Sequence, residues 1–455
     1  MDNISVIIRN RNEERYIGYA IQSVLDTFDK PEIIVVDNNS TDDSMNIVNT
    51  FDFEDIKTYN INSYTPGKSL NYGVSVCSND YVLVLSAHSQ IMNCKFGKIK
   101  GFEPTIREIE KLNNIFNFVY HVAPIYPGEP PKNFVYYNQD NIKLVPLKPS
   151  GGKSIFSKLK IIRHSFHNLM IIHKICREVD RIQFRSPTSS GLYVLPYLKW
   201  FNKKKYWVKY AGNWNQIDPP VSYFLQRFWL NNVLGKTIVT INGKWLKQKP
   251  HILSFENPCY SEQELFEANK MKKVKNFSNK IDICFVGALK KEKGGYILID
   301  ALKLSKQYSK IRKIYFVGEG NEKQKIKSSA KKLTRFTIDI KGSLSRKKLN
   351  EVYSKCHIII LPSKSEGFPK VIAEAISFGC VPIVTNVGSI CQYIDKTNGV
   401  ILKERSPLEI KNAIDFLIND RIRFKKLAEE SSKTAKLFTF ENYNKRIKKY
   451  ILDTK

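Results

Sequence analysis

The chain has 455 residues, enough for two to four domains with sizeable cores, and its 42% hydrophobic and 25% charged residues are the balance of a folded protein. No apolar run approaches the roughly 18 residues that span a bilayer, and Met1 leads straight into a strand-like stretch without a signal-peptide core, so a cytoplasmic protein is expected. Eight cysteines without Cys-x-x-Cys pairs, several inside apolar runs such as DICFVGA, argue against a disulfide framework or zinc module and read as buried thiols.

Seventy-three Lys and Arg against 43 Asp and Glu give a net charge of +30, so nucleic acid, a phospholipid surface or a phosphorylated substrate are the partners to weigh. The excess is uneven: residues 1–90 hold six basic against thirteen acidic residues, which marks a boundary near residue 90. The remaining lysines are spread through helices and loops. No zinc finger or aromatic-interleaved RNA motif accompanies them, and no nucleic-acid partner is expected.

In chain order, apolar runs alternate with helical patterns, the signature of parallel α/β units. The first 90 residues show strands ISVIIR, EIIVVD and DYVLVLS with helices near 14–27 and 42–50. Residues 93–262 read as a second unit: helix 104–116, strands NFVYHVAPI and IKLVPL, a long helix near 156–178, then RIQFRS, YWVKYAG and TIVTING. A third unit, 263–430, carries DICFVGA, KIYFVGEG, FTIDIKG, CHIIILPS and VPIVTN, and 431–455 reads as a C-terminal helix. Two successive α/β domains imply a cleft between them.

The sharpest constellation is LPSKSEGFPKVIAEAISFGCVPIV, residues 361–384. Strand CHIIILPS ends in a loop with Glu366 and Gly367, Pro369 suits a first helical position, and Gly379 suits the stop. The helix start thus offers free N–H groups and a positive dipole end, which suit a diphosphate. Glu366 and Glu374, on the loop and two turns into the helix, can accept hydroxyls from different parts of one extended ligand. A nucleotide sugar fits that order of groups; a capping acid plus an ordinary surface glutamate is the bland alternative.

This stretch resembles the donor-binding motif of glycosyltransferase family 4, retaining enzymes of the GT-B fold, and FVGALKKEKGGYILIDAL, FVGEGNEKQKI and GSLSRKKLNEVYSKCHIIILPS extend the likeness. The resemblance implies two Rossmann-like parallel-sheet domains. It places Glu374 on the ribose, Glu366 on the donor sugar, Gly367 and the amides of Phe368, Lys370 and Val371 by the diphosphate, and Lys293 as its counter-charge. Where the family usually has Arg this chain has Ala288; Lys290 or Lys291 could restore the charge, as a point charge rather than a fork. Gly97, Gly101 and Pro104 form a loop running into a helix, suited to the opposite wall of a diphosphate site. The family's first-domain histidine has no evident counterpart; Arg185, Ser186 and Thr188 stand in its region, and His121 ends a strand elsewhere.

Residues 1–92 resemble the nucleotide-binding half of glycosyltransferase family 2, of the GT-A fold: SVIIRNRNEERYIGYAIQSVL, EIIVVDNNSTDDS and TPGKSLNYGVSVCSNDYVLVLS. That likeness implies Asp37 at the base, with Asn12 and Glu13 beside the nucleotide. The expected Asp-x-Asp metal motif reads Ser86-Ala87-His88, with His88 a ligand only if this half is active, and there is no room for the acceptor half. Strand DYVLVLS can equally open the GT-B first domain, and residues 1–92 are expected to pack as one body with the second unit. The combined expectation is a retaining transferase that needs no cofactor, moving sugar from a nucleotide-diphosphate donor to an oligosaccharide or lipid-linked acceptor in surface polysaccharide or lipopolysaccharide assembly, with peripheral contact to anionic membrane at its inner face. A binding or scaffold protein with degenerate sites, and a nucleic-acid binder, are the alternatives.

Overall fold

The computed structural model describes residues 5–27, 31–53, 56–61, 81–86, 91–93, 99–126, 130–139, 141–149, 155–235 and 237–453. The chain divides into two compact units, residues 1–81 and 82–455. In the first, β1 (Ser5–Asn10), α1 (Ile17–Thr27), β2 (Glu32–Asp37), α2 (Ser44–Val48) and β3 (Ile56–Asn60) make a parallel sheet of order β1-β2-β3. Ile17, Ile21, Ile33, Val35 and Val48 form its core, the α1 positions lying one turn apart and the β2 positions on one pleat face.

The large unit holds two sheets. The first uses β4 (Tyr81–Ser86), β5 (Ile91–Asn93), β6 (Ile99–Phe102), α3 (Glu103–Leu112), β7 (Phe118–Tyr126), β8 (Phe134–Val135), β9 (Ile142–Leu147), α4 (Ile155–Glu178), β10 (Arg181–Ser186), α5 (Gly191–Trp200), β11 (Lys205–Tyr210), α6 (Val221–Asn232), β12 (Ile238–Ile241) and β13 (Ile252–Ser254). Its body runs β9-β7-β4-β10-β11-β12-β13, a doubly wound order in which the chain reverses direction between β4 and β10. Strand DYVLVLS is therefore the opening strand of this sheet, parallel to β10 from Val82 to Ser86. The division falls after Tyr81 rather than after residue 92, so the strand from Val82 to Ser86 belongs to the large unit.

After α7 (Glu262–Lys273), whose Ser261 and Glu264 form a reciprocal cap, comes the second sheet. It contains β14 (Ile281–Val286), α8 (Gly295–Leu304), β15 (Ile311–Val317), α9 (Lys323–Lys331), β16 (Ile338–Lys341), α10 (Arg346–Lys355), β17 (Ile358–Leu361), α11 (Lys370–Ser377), β18 (Val381–Thr385) and β19 (Val400–Leu402). All six strands are parallel, in order β16-β15-β14-β17-β18-β19. Strands β14 and β17 are buried along their whole length, the continuous apolar pattern of a sheet covered on both faces.

The chain ends with α12 (Pro407–Asn419), α13 (Arg421–Thr434) and α14 (Phe440–Ile447). The single helix expected over 431–455 is instead the end of α13, a 3-10 turn, α14 and a π-type turn at Lys448–Leu452. Thr439 caps α14, and the helix returns to the first half of the unit: Tyr443, Ile447 and Ile451 pack with Ile109, Phe116 and Trp207. The tail thus straps the two sheets together. Among the described residues no helix is long and apolar enough to cross a membrane.

Candidate functional site

Strands β14 and β17 are neighbours, and the chain leaves them in opposite directions; the loops beyond their C-terminal ends open a crevice there. The loop after β14 lies back to back with the turn after β15. Gly318 has φ +142°, and a Cβ there would sit 2.0 Å from the Gly287 carbonyl oxygen, so only glycine permits the approach. The wall of the crevice is consequently bare backbone. After Lys291–Lys293, a short 3-10 turn, Gly294 in the left-handed region starts α8, and Arg405 pins the turn by donating to the carbonyls of Pro362 (2.6 Å) and Lys291 (2.5 Å).

On the other side, Pro369 is the N-cap of α11 rather than its first residue, and no side chain caps the helix. The amides of Lys370 and Val371 precede the helix's first bond, which Ile372 makes to the Pro369 carbonyl at 3.0 Å. Between this helix, the glycine wall and α3 lies a cavity of about 430 Å³, lined by Phe102, Pro104 and Arg107 from the first half and by Gly287, Ala288, Gly318, Arg346, Lys370, Val371 and Glu374 from the second.

Glu374 is 5% exposed; Tyr353 Oη donates to its Oε2 at 3.1 Å and Arg346 pairs with its Oε1. Burial opposes the charge of Arg346, but Glu374 and Glu264 outweigh that and raise its pKa. Arg107 pairs with Glu264 and donates to the Cys259 carbonyl at 3.1 Å, so it too is fixed at the cavity wall. Burial pushes the Cys259 thiol up to about 12, leaving it protonated. Burial likewise raises the Glu103 carboxyl.

Glu366 and Lys293 are brought together as an ion pair, and Ser363 Oγ donates to the same carboxylate oxygen at 2.8 Å. Gly367 lies close against the first half: a Cβ there would meet Asn242 Nδ2 at 2.8 Å and the Gly212 carbonyl oxygen at 2.9 Å. Lys370 bridges the halves as well, reaching the Pro104 carbonyl at 3.3 Å and Glu108 at 3.2 Å. Glu108, 1% exposed, also binds Arg185 at 2.7 Å and Lys209. Burial alone would raise its pKa; Arg185, Lys209 and Lys370 together hold it well below the usual carboxylate range.

Several expected residues fall elsewhere. Gly101 is not in a loop but in β6, paired antiparallel to β5 and β8, an arrangement the short strands left unannounced; the backbone that reaches the cavity is Phe102–Pro104. Gly97 and His88 lie outside the described residues. Lys290 is exposed and does not line the cavity, and the Phe368 side chain is core, stacked on Phe438 at 4.6 Å. The cations that face the cavity beside Ala288 are Arg346, Arg107 and Lys370. His121 is buried in β7 with Tyr137; burial and then Arg185 push its pKa down to about 3, which makes it a neutral packing residue.

In the small unit, Asp37 ends β2 buried, accepting from Asn10 Nδ2 (2.7 Å) and from the Ser40 amide (2.9 Å) and hydroxyl (2.6 Å). Asn12, at φ +55°, accepts from the Thr41 amide, and the Glu13 amide donates to Ser44 Oγ. The three expected nucleotide-binding positions therefore do meet at the C-terminal end of this sheet. Among the described residues no group of three His, Cys, Asp or Glu could hold a metal ion.

Residues 266–437 match the model of the group 1 glycosyl transferases, and residues 5–168 match that of glycosyl transferase family 2, which runs well past residue 92. An uncharacterized glycosyltransferase of Methanocaldococcus jannaschii is 34% identical over 161 residues, 34% of this chain and 44% of that protein. A Bacillus subtilis glycosyltransferase named for teichuronic acid biosynthesis is 28% identical over 150 residues, 33% of this chain and 36% of that protein. The chain thus spans less than half the length of these relatives. Among solved structures, sucrose-phosphate synthase from Thermosynechococcus elongatus superposes with a TM-score of 0.62 at 15% identity, over 81% of this chain and 98% of that one. Anabaena HepE in complex with UDP-glucose gives 0.58 at 14%, over 82% and 100%. These likenesses establish the GT-B fold.

Proposed function

Because the chain carries a family 2 glycosyl transferase segment followed by a group 1 segment, we propose that it transfers a glycosyl group, with retention, from a nucleotide-diphosphate sugar to a hydroxyl of a saccharide or lipid-linked acceptor. The observation that carries this reading is the buried Glu374 beside the uncapped start of α11, across one cavity from a wall of glycine backbone. The apolar cavity takes the base and Glu374 accepts from the ribose hydroxyls. The diphosphate lies at the α11 N–H groups with Lys293 as its counter-ion. As the glycosidic bond breaks, charge gathers on the leaving diphosphate, where fixed N–H dipoles and an ammonium stabilise it without reorganising. Incoming phosphate oxygens compete with Glu366 for Lys293, and the released carboxylate turns to the sugar. Likeness to a protein named for teichuronic acid biosynthesis supports an acceptor in surface polysaccharide assembly.

The test is a screen of nucleotide sugars with purified protein, following donor hydrolysis and the anomeric form of the product. Hydrolysis of one donor with the anomer retained supports the reading; no hydrolysis of any donor despite tight nucleotide binding supports a binding protein, which Ala288 and the carboxylates already paired with Arg346 and Lys293 favour.

A further inference from the structure

We propose that the N-terminal edge of the first large sheet, around Arg181, Lys199 and Lys203–Lys205, docks on an anionic membrane surface. The inference is independent of the transfer reaction, because this edge lies at the opposite end of the strands from the loops that border the cavity. Arg181 and Lys205 open β10 and β11, and a groove of about 610 Å³ beneath them is lined by five cations, Arg181, Lys199, Lys203, Lys204 and Lys205, with no carboxylate among its lining residues. Over residues 155–235 the chain has thirteen Lys and Arg against three Asp and Glu.

Directly beside the groove, Trp200 and Phe201 stand 60% and 73% exposed at the end of α5. They are held rather than loose: Phe201 stacks on Tyr197 with ring planes 8° apart, and Trp200 meets Trp229 of α6 edge-on at 6.3 Å. From there α6 continues the apolar surface, with Val221, Phe224, Leu225 and Phe228 exposed at helical spacing i, i+3, i+4, i+7, the stripe a globular helix ordinarily buries. Such a contiguous exposed face marks an interaction site.

Charge decides the occupant. Lysines that carry their ammonium groups outward beside interfacial Trp and Phe match anionic headgroups above acyl chains. A single-stranded nucleic acid would stack on the aromatic rings but gain nothing from Val221 and Leu225. A second copy would set one cationic groove against another.

The full-length protein is floated with vesicles of phosphatidylcholine alone or with about one-third phosphatidylglycerol. The expected result is partition about tenfold or more higher on the anionic vesicles, weakened by salt. Lys203→Glu/Lys204→Glu and Trp200→Ser/Phe201→Ser should each lower it about tenfold, with melting temperature and nucleotide binding unchanged. Equal partition on both vesicles would overturn the proposal. So would retention by both variants, binding of single-stranded RNA that exceeds vesicle binding and is lost in the same variants, or a stable dimer that hides Trp200 and Phe201.

Discussion

The two sheets of the large unit are wired alike, each starting in the middle and reversing beside its first strand, yet their reversal points differ in chemistry. In the first, the end of β10 is occupied by its own polar groups. Ser186 Oγ and the Thr188 amide donate to Gln226 Oε1 at 2.9 and 3.1 Å, Gln226 Nε2 donates to the Thr188 carbonyl at 2.7 Å, and Arg185 is spent on Glu108. In the second, glycine keeps one wall clear of side chains and the uncapped helix start turns its first amides toward a cavity. Topology marks two places where a ligand could sit, and the residues at the strand ends favour the second. On the proposed function the first half contributes a wall and a lock, the second the binding chemistry.

The largest expected effect tests the lock. Glu108→Ala leaves Arg185, Lys209 and Lys370 close together with no carboxylate among them, and removing one partner of a buried ionic cluster costs about 3–5 kcal/mol. Denaturant unfolding should show that loss. A loss below about 1 kcal/mol accompanied by failure to bind nucleotide would instead make Glu108 part of the binding chemistry and erase the contrast.

Next comes the binding side. Glu374→Ala should weaken nucleotide binding by about 1–3 kcal/mol through lost ribose hydrogen bonds, roughly ten- to a hundredfold in Kd. Arg346 keeps Glu264 as a neighbouring charge, so the protein should stay folded. Calorimetry with the nucleoside diphosphate reads the change, and an unchanged Kd in folded protein would remove Glu374 from the site.

A smaller effect should appear equally in both halves. Burial, then Arg185, lowers the His121 pKa to about 3, and burial, then Lys275, lowers that of His357 to about 4. His357 accepts from the Asp282 amide through Nδ1 at 3.1 Å and faces the Asn276 carbonyl through Nε2, so protonating it breaks a bond. Below about pH 6.5 the unfolded chain takes up protons that these folded sites refuse. Stability is therefore complete above that pH and falls as pH drops toward 4 and 3. At pH 5.5 each should account for about 1 kcal/mol, and His121→Gln or His357→Gln should flatten its share of the slope. A slope in only one variant would show that the halves respond to acid differently.

Much of the second half was legible because buried parallel strands read as unbroken apolar runs ending in glycine or polar loops, as in DICFVGA and CHIIILPS. The first half was less so. β5, β6 and β8 are two to four residues long, with β6 antiparallel to both others, too short to show a period, which is why Gly101 read as a loop. Glu108–Lys370, 262 residues apart, depends on how the sheets meet and Arg346–Glu374 on how α10 and α11 flank the second sheet, and no local spacing signals either. In hindsight, Arg346 following GSLS is the one cation whose register beside the motif could have drawn notice.

The smallest expected effect is none at all, and it separates the donor half from the N-terminal unit. If transfer uses Lys293 and the start of α11, the charge of the leaving diphosphate is met by groups that no chelator removes. Turnover measured with and without a divalent-metal chelator should then be the same within error. The N-terminal unit gathers Asp37, Asn12 and Glu13 at the ends of its strands, as a nucleotide site would, and the chain continues through Ser86 to His88. Were that unit the seat of transfer, its likeness to family 2 would imply a metal to carry the diphosphate charge there, with His88 as a ligand. Turnover that collapses on chelation, returns with manganese and survives Glu374→Ala would move the chemistry to residues 1–92 and reverse the roles assigned to the two regions.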